Sequence, residues 1–178
     1  EGRAMPGVDL ITVKADGSHA KSGEEGELRA KAPQLMLGYL DASLDKEAFD
    51  ENGYFRTGDL GIIDEDGYVV ISGRLKDVII RHGENISAKE VEDLLFGHPQ
   101  IADIAVIGVP DTVTGERACA VVSTAEDHSP ITLSELRTYL ENAGLRKNAI
   151  PEQLMIIDSI PRNPSGKVTK NILQEQFK

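Results

Sequence analysis

Tryptophan is absent, cysteine occurs once in 178 residues, and 19 basic residues face 30 acidic ones, for a formal net charge of -11. A single cysteine rules out an internal disulfide. Cys119 also lies in the apolar run Ala118-Cys119-Ala120-Val121-Val122, which reads as a buried strand thiol and not a nucleophile. With no basic cluster to displace counterions from phosphates, the acidic balance argues against a sequence-independent nucleic-acid binder and against docking on an anionic membrane surface. No apolar run approaches the length of a bilayer-spanning helix, and the start, EGRAMPGVDL, is neither basic nor followed by a signal-type apolar core. A cytosolic protein is expected. His19, His82, His98 and His128 show no metal-ligand spacing with one another or with Cys119, so no metal site is expected and most of the histidines read as solvated loop residues. Internal repeats and low-complexity segments are also lacking.

What is present is globular: 40% hydrophobic and 28% charged residues over a length suited to one domain or one and a half small ones. Residues 9–14 (DLITVK) and 26–32 (GELRAKA) alternate as strands around a polar turn, so residues 1–35 read as the end of a β-rich unit. Ser43 to Phe49 suggests a short amphipathic helix. Tyr54 to Leu60 (YFRTGDL) follows, with a polar core, Arg56-Thr57-Gly58-Asp59, that is unusual for a strand end and needs a turn role or a ligand. Ile62-Ile63 and Tyr68 to Ile71 then flank Asp64-Glu65-Asp66-Gly67 as a hairpin. That acidic turn lacks the third ligand, central glycine and downstream glutamate of a calcium loop.

Residues 73–92, GRLKDVIIRHGENISAKEVE, begin as a charged turn and continue as a strand, Val78-Ile79-Ile80. A glycine-bearing loop, His82-Gly83-Glu84-Asn85, leads to a helix opened by a Ser87/Glu90 capping box. Val91, Leu94 and Leu95 give that helix its apolar face, and Gly97 with Pro99 ends it. Beyond it, Ile101 to Val109 and Ala118 to Ser123 pair as antiparallel strands. Thr132 with Glu135 caps a second helix that runs to Gly144, and Met155 to Ile157 adds a strand. The rhythm over residues 74–160 is that of a small α+β domain with helices packed on a sheet of three or more strands. The tail Pro161-Arg162-Asn163-Pro164-Ser165-Gly166-Lys167 holds a lysine on an exposed loop; Pro161 and Val168 stand where a P-loop needs glycine and serine or threonine.

Three stretches in order, YFRTGDL, GRLKDVIIRHGENISAKEVE and NPSGKVTK (residues 163–170), resemble the last signature motifs of the acyl-adenylate-forming superfamily. That family includes acyl-CoA synthetases, peptide-synthetase adenylation domains and beetle luciferases. The resemblance implies two half-reactions. ATP and a carboxylic acid give acyl-AMP and pyrophosphate, and in the CoA ligases the CoA thiol then displaces AMP. It also implies roles: Lys167 as the catalytic cation of adenylation, Asp59 and Arg74 as nucleotide contacts, Lys76 as the hinge of a mobile lid. Gly83, Glu84 and Asn85 match the loop presented to the CoA pantetheine channel. Residues 1–73 would close a large N-terminal AMP-binding domain and residues 74–178 would form the lid, so the chain is expected to be a fragment, inactive alone, that works with the N-terminal domain in cis.

Mg2+ is implied for the full enzyme, with ligands that are not in this fragment. Lys76 and Gly83-Glu84-Asn85-Ile86 resemble the CoA ligases more than the peptide-synthetase domains, which carry aspartate at the hinge. Ala88 stands where relatives often have proline, and Gln176-Phe177-Lys178 is not the peroxisomal tripeptide of luciferases. A domain that loads a carrier protein and a non-catalytic interaction module are the competing expectations.

Overall fold

Alternating apolar and polar residues in the first third build strands, and polar glycine turns join them. The computed structural model describes residues 2–176, so Phe177 and Lys178 of the terminal tripeptide lie outside the described residues. Chain contacts divide it into two units, Glu1–Lys76 and Asp77–Lys178.

In the first unit, β1 (Gly2–Arg3), β2 (Asp9–Val13), β3 (Glu25–Lys31), β4 (Phe55–Ile63) and β5 (Tyr68–Arg74) form one antiparallel sheet in the order β1-β5-β4-β3-β2. A 3-10 turn, Ala42–Leu44, and a one-turn helix α1, Asp45–Ala48, stand where the amphipathic helix was expected. The hairpin turn before Tyr68 is an Asx turn: Asp64 Oδ1 accepts from the amides of Asp66 and Tyr68 at 2.9 and 2.8 Å. Gly67 completes it at φ +80°.

The Arg56-Thr57-Gly58-Asp59 stretch is neither a turn nor a strand end. It lies inside the nine-residue β4, where pairing with β3 steps from Arg29↔Arg56 to Glu27↔Leu60. Two residues of β3 are thus spanned by four of β4, and the excess bulges out of the sheet. Thr57 ties the bulge down by donating to the Leu28 carbonyl at 2.6 Å.

The second unit holds β6 (Val78–Arg81), β7 (Glu84–Ser87), α2 (Ala88–Leu95), β8 (Ile101–Asp111), β9 (Gly115–Thr124), α3 (Leu133–Asn142), β10 (Gln153–Ile156) and α4 (Lys170–Glu175). Its sheet is mixed. β9 pairs antiparallel with β8 along its whole length, parallel with β10, and with β6 at Arg81↔Gly115. The chain is therefore α+β, with five strands where the sequence rhythm required at least three.

One face of this sheet is covered by the apolar stripes of α2 and α3. Ala88, Val91, Leu95, Leu136 and Leu140 meet Ile79, Ile86, Val106, Ala120 and Val122, all fully or almost fully buried. Each such leucine or isoleucine contributes about 1.5–3 kcal/mol by leaving water. The capping box at Thr132 and Glu135 is complete in both directions, and Ser87 Oγ accepts from the Glu90 amide at 3.3 Å. The opposite face, Ala105, Ile107, Val109, Cys119 and Val121, is covered by Ile160 and by Leu173 of α4, a helix the sequence pattern had not indicated. Burial pushes the Cys119 thiol up to about 12, in keeping with an inert strand cysteine. His98 is not a solvated loop residue: it is half-buried and meets Tyr139 edge to face at 4.6 Å. Among the described residues no helix is long and apolar enough to cross a membrane.

Candidate functional site

The β4 bulge and the end of β5 bring Asp59 and Arg74 opposite each other. They form a register pair, and Arg74 Nε lies 2.7 Å from Asp59 Oδ1. Next to it, Leu60↔Gly73 is followed by Gly61↔Ile71, so β5 carries one residue more than β4 and the pair sits at a second bulge. The Asp59 amide donates to Thr57 Oγ1 at 3.0 Å. Side-chain exposure is 46% for Arg74 and 25% for Asp59. The carboxylate is thus held at a surface by a partner that a ligand could share, and in water such a pair adds little to stability.

Directly after Arg74 the chain turns through a 3-10 segment, Leu75–Asp77, with Leu75 and Lys76 exposed. The division between the two units falls at this point, after Lys76.

The stretch expected as a four-residue loop is shorter. His82 and Gly83 alone form the turn, with φ of +49° and +79°, between β6 and β7 paired as Arg81↔Glu84 and Ile80↔Asn85. Two consecutive left-handed residues make the tight hairpin that matches strand twist. Glu84 and Asn85 are therefore strand residues. Glu84 accepts from the Asn148 amide group, and the Asn85 carbonyl accepts from Arg146 at 2.6 Å. The His82 amide donates to Thr114 O at 2.8 Å. A Cβ built on Gly83 would meet nothing within 4 Å, so the turn's tip is bare. Below it, Arg81 forks onto Glu152 at 2.8 and 3.0 Å. Its guanidinium holds the Glu152 carboxyl below the usual range, against a smaller opposing effect of burial.

Lys167 lies on a second preformed loop. Asn163 accepts from the Lys167 amide (2.9 Å), the Ser165 amide (3.1 Å) and the Ser165 hydroxyl (2.7 Å), all at its Oδ1. Backbone bonds join Gly166 N to Asn163 O and Asn163 N to Lys167 O at 2.8 and 2.9 Å. Gly166 has φ +81° and the segment closes with an Arg162↔Val168 bridge. Arg162 and Asp103, which sequence reading passed over, clamp it from outside. Lys170 sits three residues beyond Lys167, with Nζ 2.8 Å from Glu92 Oε1 and 3.8 Å from Asp77 Oδ2. A lone charge in the apolar run IADIAVIGV was the available signal for Asp103, and the Asn-Pro pair was the signal for the turn.

The two loops stand at opposite ends of β9. The turn's anchor, Arg81, pairs with Gly115, whereas the lysine loop's anchor, Asp103, pairs with Ser123. Eight residues of strand separate those positions, roughly 26 Å at about 3.3 Å per residue. Among the described residues no group of three or more His, Cys, Asp or Glu side chains could hold a metal ion.

Residues 90–167 match the family described as the AMP-binding enzyme C-terminal domain. The chain is 42% identical to the salicyl-AMP ligase / salicyl-S-ArCP synthetase of Mycobacterium tuberculosis, over 99% of this chain and 31% of that protein. It is 39% identical to the medium-chain fatty-acid–CoA ligase of Escherichia coli, again over 99% of this chain and 31% of the relative. Among solved structures it resembles ATP-bound MatB from Rhodopseudomonas palustris, with a TM-score of 0.90 at 37% identity over 99% of this chain and 35% of that one. The apo form of the same MatB, at the same identity and coverage, has a TM-score of 0.69. The chain thus spans about a third of the length of the relatives it matches.

Proposed function

The chain belongs to the acyl-adenylate-forming superfamily, and from that premise we infer that it supplies the nucleotide clamp, hinge and lid of an AMP-forming acid–CoA ligase. Residues 1–73 close an N-terminal AMP-binding domain that works in cis, and residues 74–178 are the mobile lid. In the first half-reaction a carboxylate oxygen attacks the α-phosphorus of ATP and the bond to the pyrophosphate oxygen breaks. Two anions must meet, so Lys167 supplies the positive charge at the reacting oxygens. Asp59 accepts from the ribose hydroxyls and Arg74 contacts the nucleotide, which orients AMP for both steps. In the second half-reaction the CoA sulfur attacks the acyl carbon, AMP leaves with the acyl–oxygen bond electrons, and the thiol proton passes to solvent. The bare Gly83 tip, flanked by Glu84 and Asn85, then lies along the pantetheine arm.

The observation that carries this reading is the spacing of the two preformed loops. One sheet holds their anchors, Arg81 and Asp103, against positions of β9 roughly 26 Å apart, a spacing that favours their serving one acyl carbon in turn and not together. A lid that rotates about Lys76 between half-reactions meets that constraint. The unlike TM-scores for ATP-bound and apo MatB, over the stretch this chain matches, favour a relative with more than one arrangement there. The dependence on ATP and CoA agrees with the cytosolic location expected.

A second reading has specific support. The salicyl-S-ArCP synthetase is slightly more similar than the fatty-acid–CoA ligase, which favours a carrier-protein thiol as acceptor. Lys76 and Gly83-Glu84-Asn85 favour CoA. Presenting free CoA and a pantetheinylated carrier protein in separate assays to the full-length enzyme decides between them. Thioester formation on free CoA at millimolar concentration is expected, and acyl transfer to the carrier alone would replace this reading with the second.

A further inference from the structure

We propose that Arg162 is a positioning residue for adenylation: clamped on Asp103, it sets the loop that carries Lys167. The proposal rests on the reading of Lys167 given above. Arg162 Nη2 lies 2.8 and 2.7 Å from the two carboxylate oxygens of Asp103, and Nη1 donates to the Gly166 carbonyl at 2.8 Å. One guanidinium thus joins the residue before Lys167 to β8.

Asp103 reaches that position through an irregularity in β8. Pairing with β9 steps from Ile101↔Thr124 to Asp103↔Ser123, so two residues of β8 are spent against one of β9 and Ala102 is the extra one. A one-residue slip reverses which face each side chain takes. Ile101 therefore joins Ile104 and Val106 on the face covered by α2 and α3, while Asp103 shares the parity of Ala105, Ile107 and Val109 on the other face. That second face is the one covered by Ile160 and Leu173, which bracket the lysine loop. Were Ala102 paired regularly instead of bulged, Ile101 and Asp103 would point the same way, and either the core would lose its isoleucine or the loop its anchor.

The side chains of Arg162 and Asp103 are 43% and 28% exposed. Ion pairs that open to water contribute little to folding, but an arginine whose two terminal nitrogens grip different partners, Nη2 on Asp103 and Nη1 on the Gly166 carbonyl, fixes direction as well as distance. Lysine at position 162 would supply a point charge without the fork. The inner turn, built on Asn163, shapes the loop; the Arg162 clamp sets where that shape sits on the sheet.

In the full-length enzyme, Arg162→Leu is expected to lower kcat for adenylate formation about 10- to 100-fold with a smaller change in KM for ATP, because misplacing a reacting group by an ångström costs that much. Thioester formation from supplied acyl-AMP should stay within about threefold, since the lysine loop takes no part in it. Arg162→Lys should recover part of the loss. In the 178-residue chain, Arg162→Leu should speed amide exchange at Gly166 and Lys167 about tenfold while amides of β9 stay protected, which separates a loosened loop from a loosened fold.

Normal adenylation in Arg162→Leu, or equal loss of both half-reactions, overturns the clamp. Lys167→Ala run alongside distinguishes the two levels of the argument. If it leaves adenylation intact, the role of Lys167 itself is wrong. If it stops adenylation while Arg162→Leu does not slow it, only the clamp is wrong.

Discussion

Lys167→Ala in the full-length enzyme is expected to slow adenylate formation by about 100- to 1,000-fold while leaving thioester formation from supplied acyl-AMP largely intact. That loss corresponds to about 2.7–4 kcal/mol of transition-state stabilisation, the usual worth of one preorganised electrostatic contact in a water-excluded site. The alanine variant isolates the ammonium cleanly. The loop is held by the backbone amide of Lys167 and by the side chains of Asn163 and Arg162, none of which the substitution removes. The side chain itself is exposed and supports no core packing. Pyrophosphate release, followed beside acyl-CoA formation from synthetic acyl-AMP, reads the two steps separately. Equal loss of both would mean that Lys167 does not act on the first step alone.

The second large effect is expected at the hinge. Lys76 lies in the middle of the Leu75–Asp77 3-10 turn, where proline would fix its own φ near −65° and push Leu75 away from helical angles toward extended ones. Lys76→Pro should therefore hold the lid near one arrangement. Overall turnover is expected to fall about 10- to 100-fold, with one half-reaction slowed far more than the other. Thermal unfolding should change little, because Lys76 is exposed and belongs to neither apolar core. Pre-steady-state assays of each half-reaction check this, and unchanged turnover would move the pivot to another residue.

The parts of the fold that local chemistry specifies were legible. The Asp64–Gly67 hairpin, the Thr132/Glu135 box and the Gly144 stop depend on residues within a few positions of one another, and the antiparallel β8–β9 pair follows from two apolar runs joined by a short turn. What escaped depends on register against a distant strand. The bulge at Arg56–Asp59 reads in sequence as a turn or a ligand contact, because the excess residues appear only when β4 is counted against β3. Ala102 is likewise an ordinary alanine until β8 is laid on β9. The His82-Gly83 turn was read as part of a longer loop because histidine is a less usual first residue of such a turn than asparagine or aspartate. Burial of Leu173 against β8 and β9 determines α4, a six-residue helix too short to reveal a stripe. The site residues were named by motif, whereas the groups that hold them in place, Arg162, Asp103, Asn163 and Arg146, became visible only through contacts 59 to 61 residues apart in sequence or within a single tight loop.

The central claim is that one small unit offers two surfaces in turn, Lys167 for the phosphate step and the Gly83 tip for the thiol step. Gly83→Asn tests the second surface cleanly, because asparagine tolerates the left-handed backbone that position requires and its side chain enters open space. The decisive measurement is a paired single-turnover assay of both half-reactions in Gly83→Asn and Lys167→Ala. The expected pattern is crossed: Gly83→Asn keeps adenylation and loses at least about tenfold in thioester formation, and Lys167→Ala does the reverse. Parallel losses, with both variants slowed in the same half-reaction or in both, would contradict the exchange of surfaces.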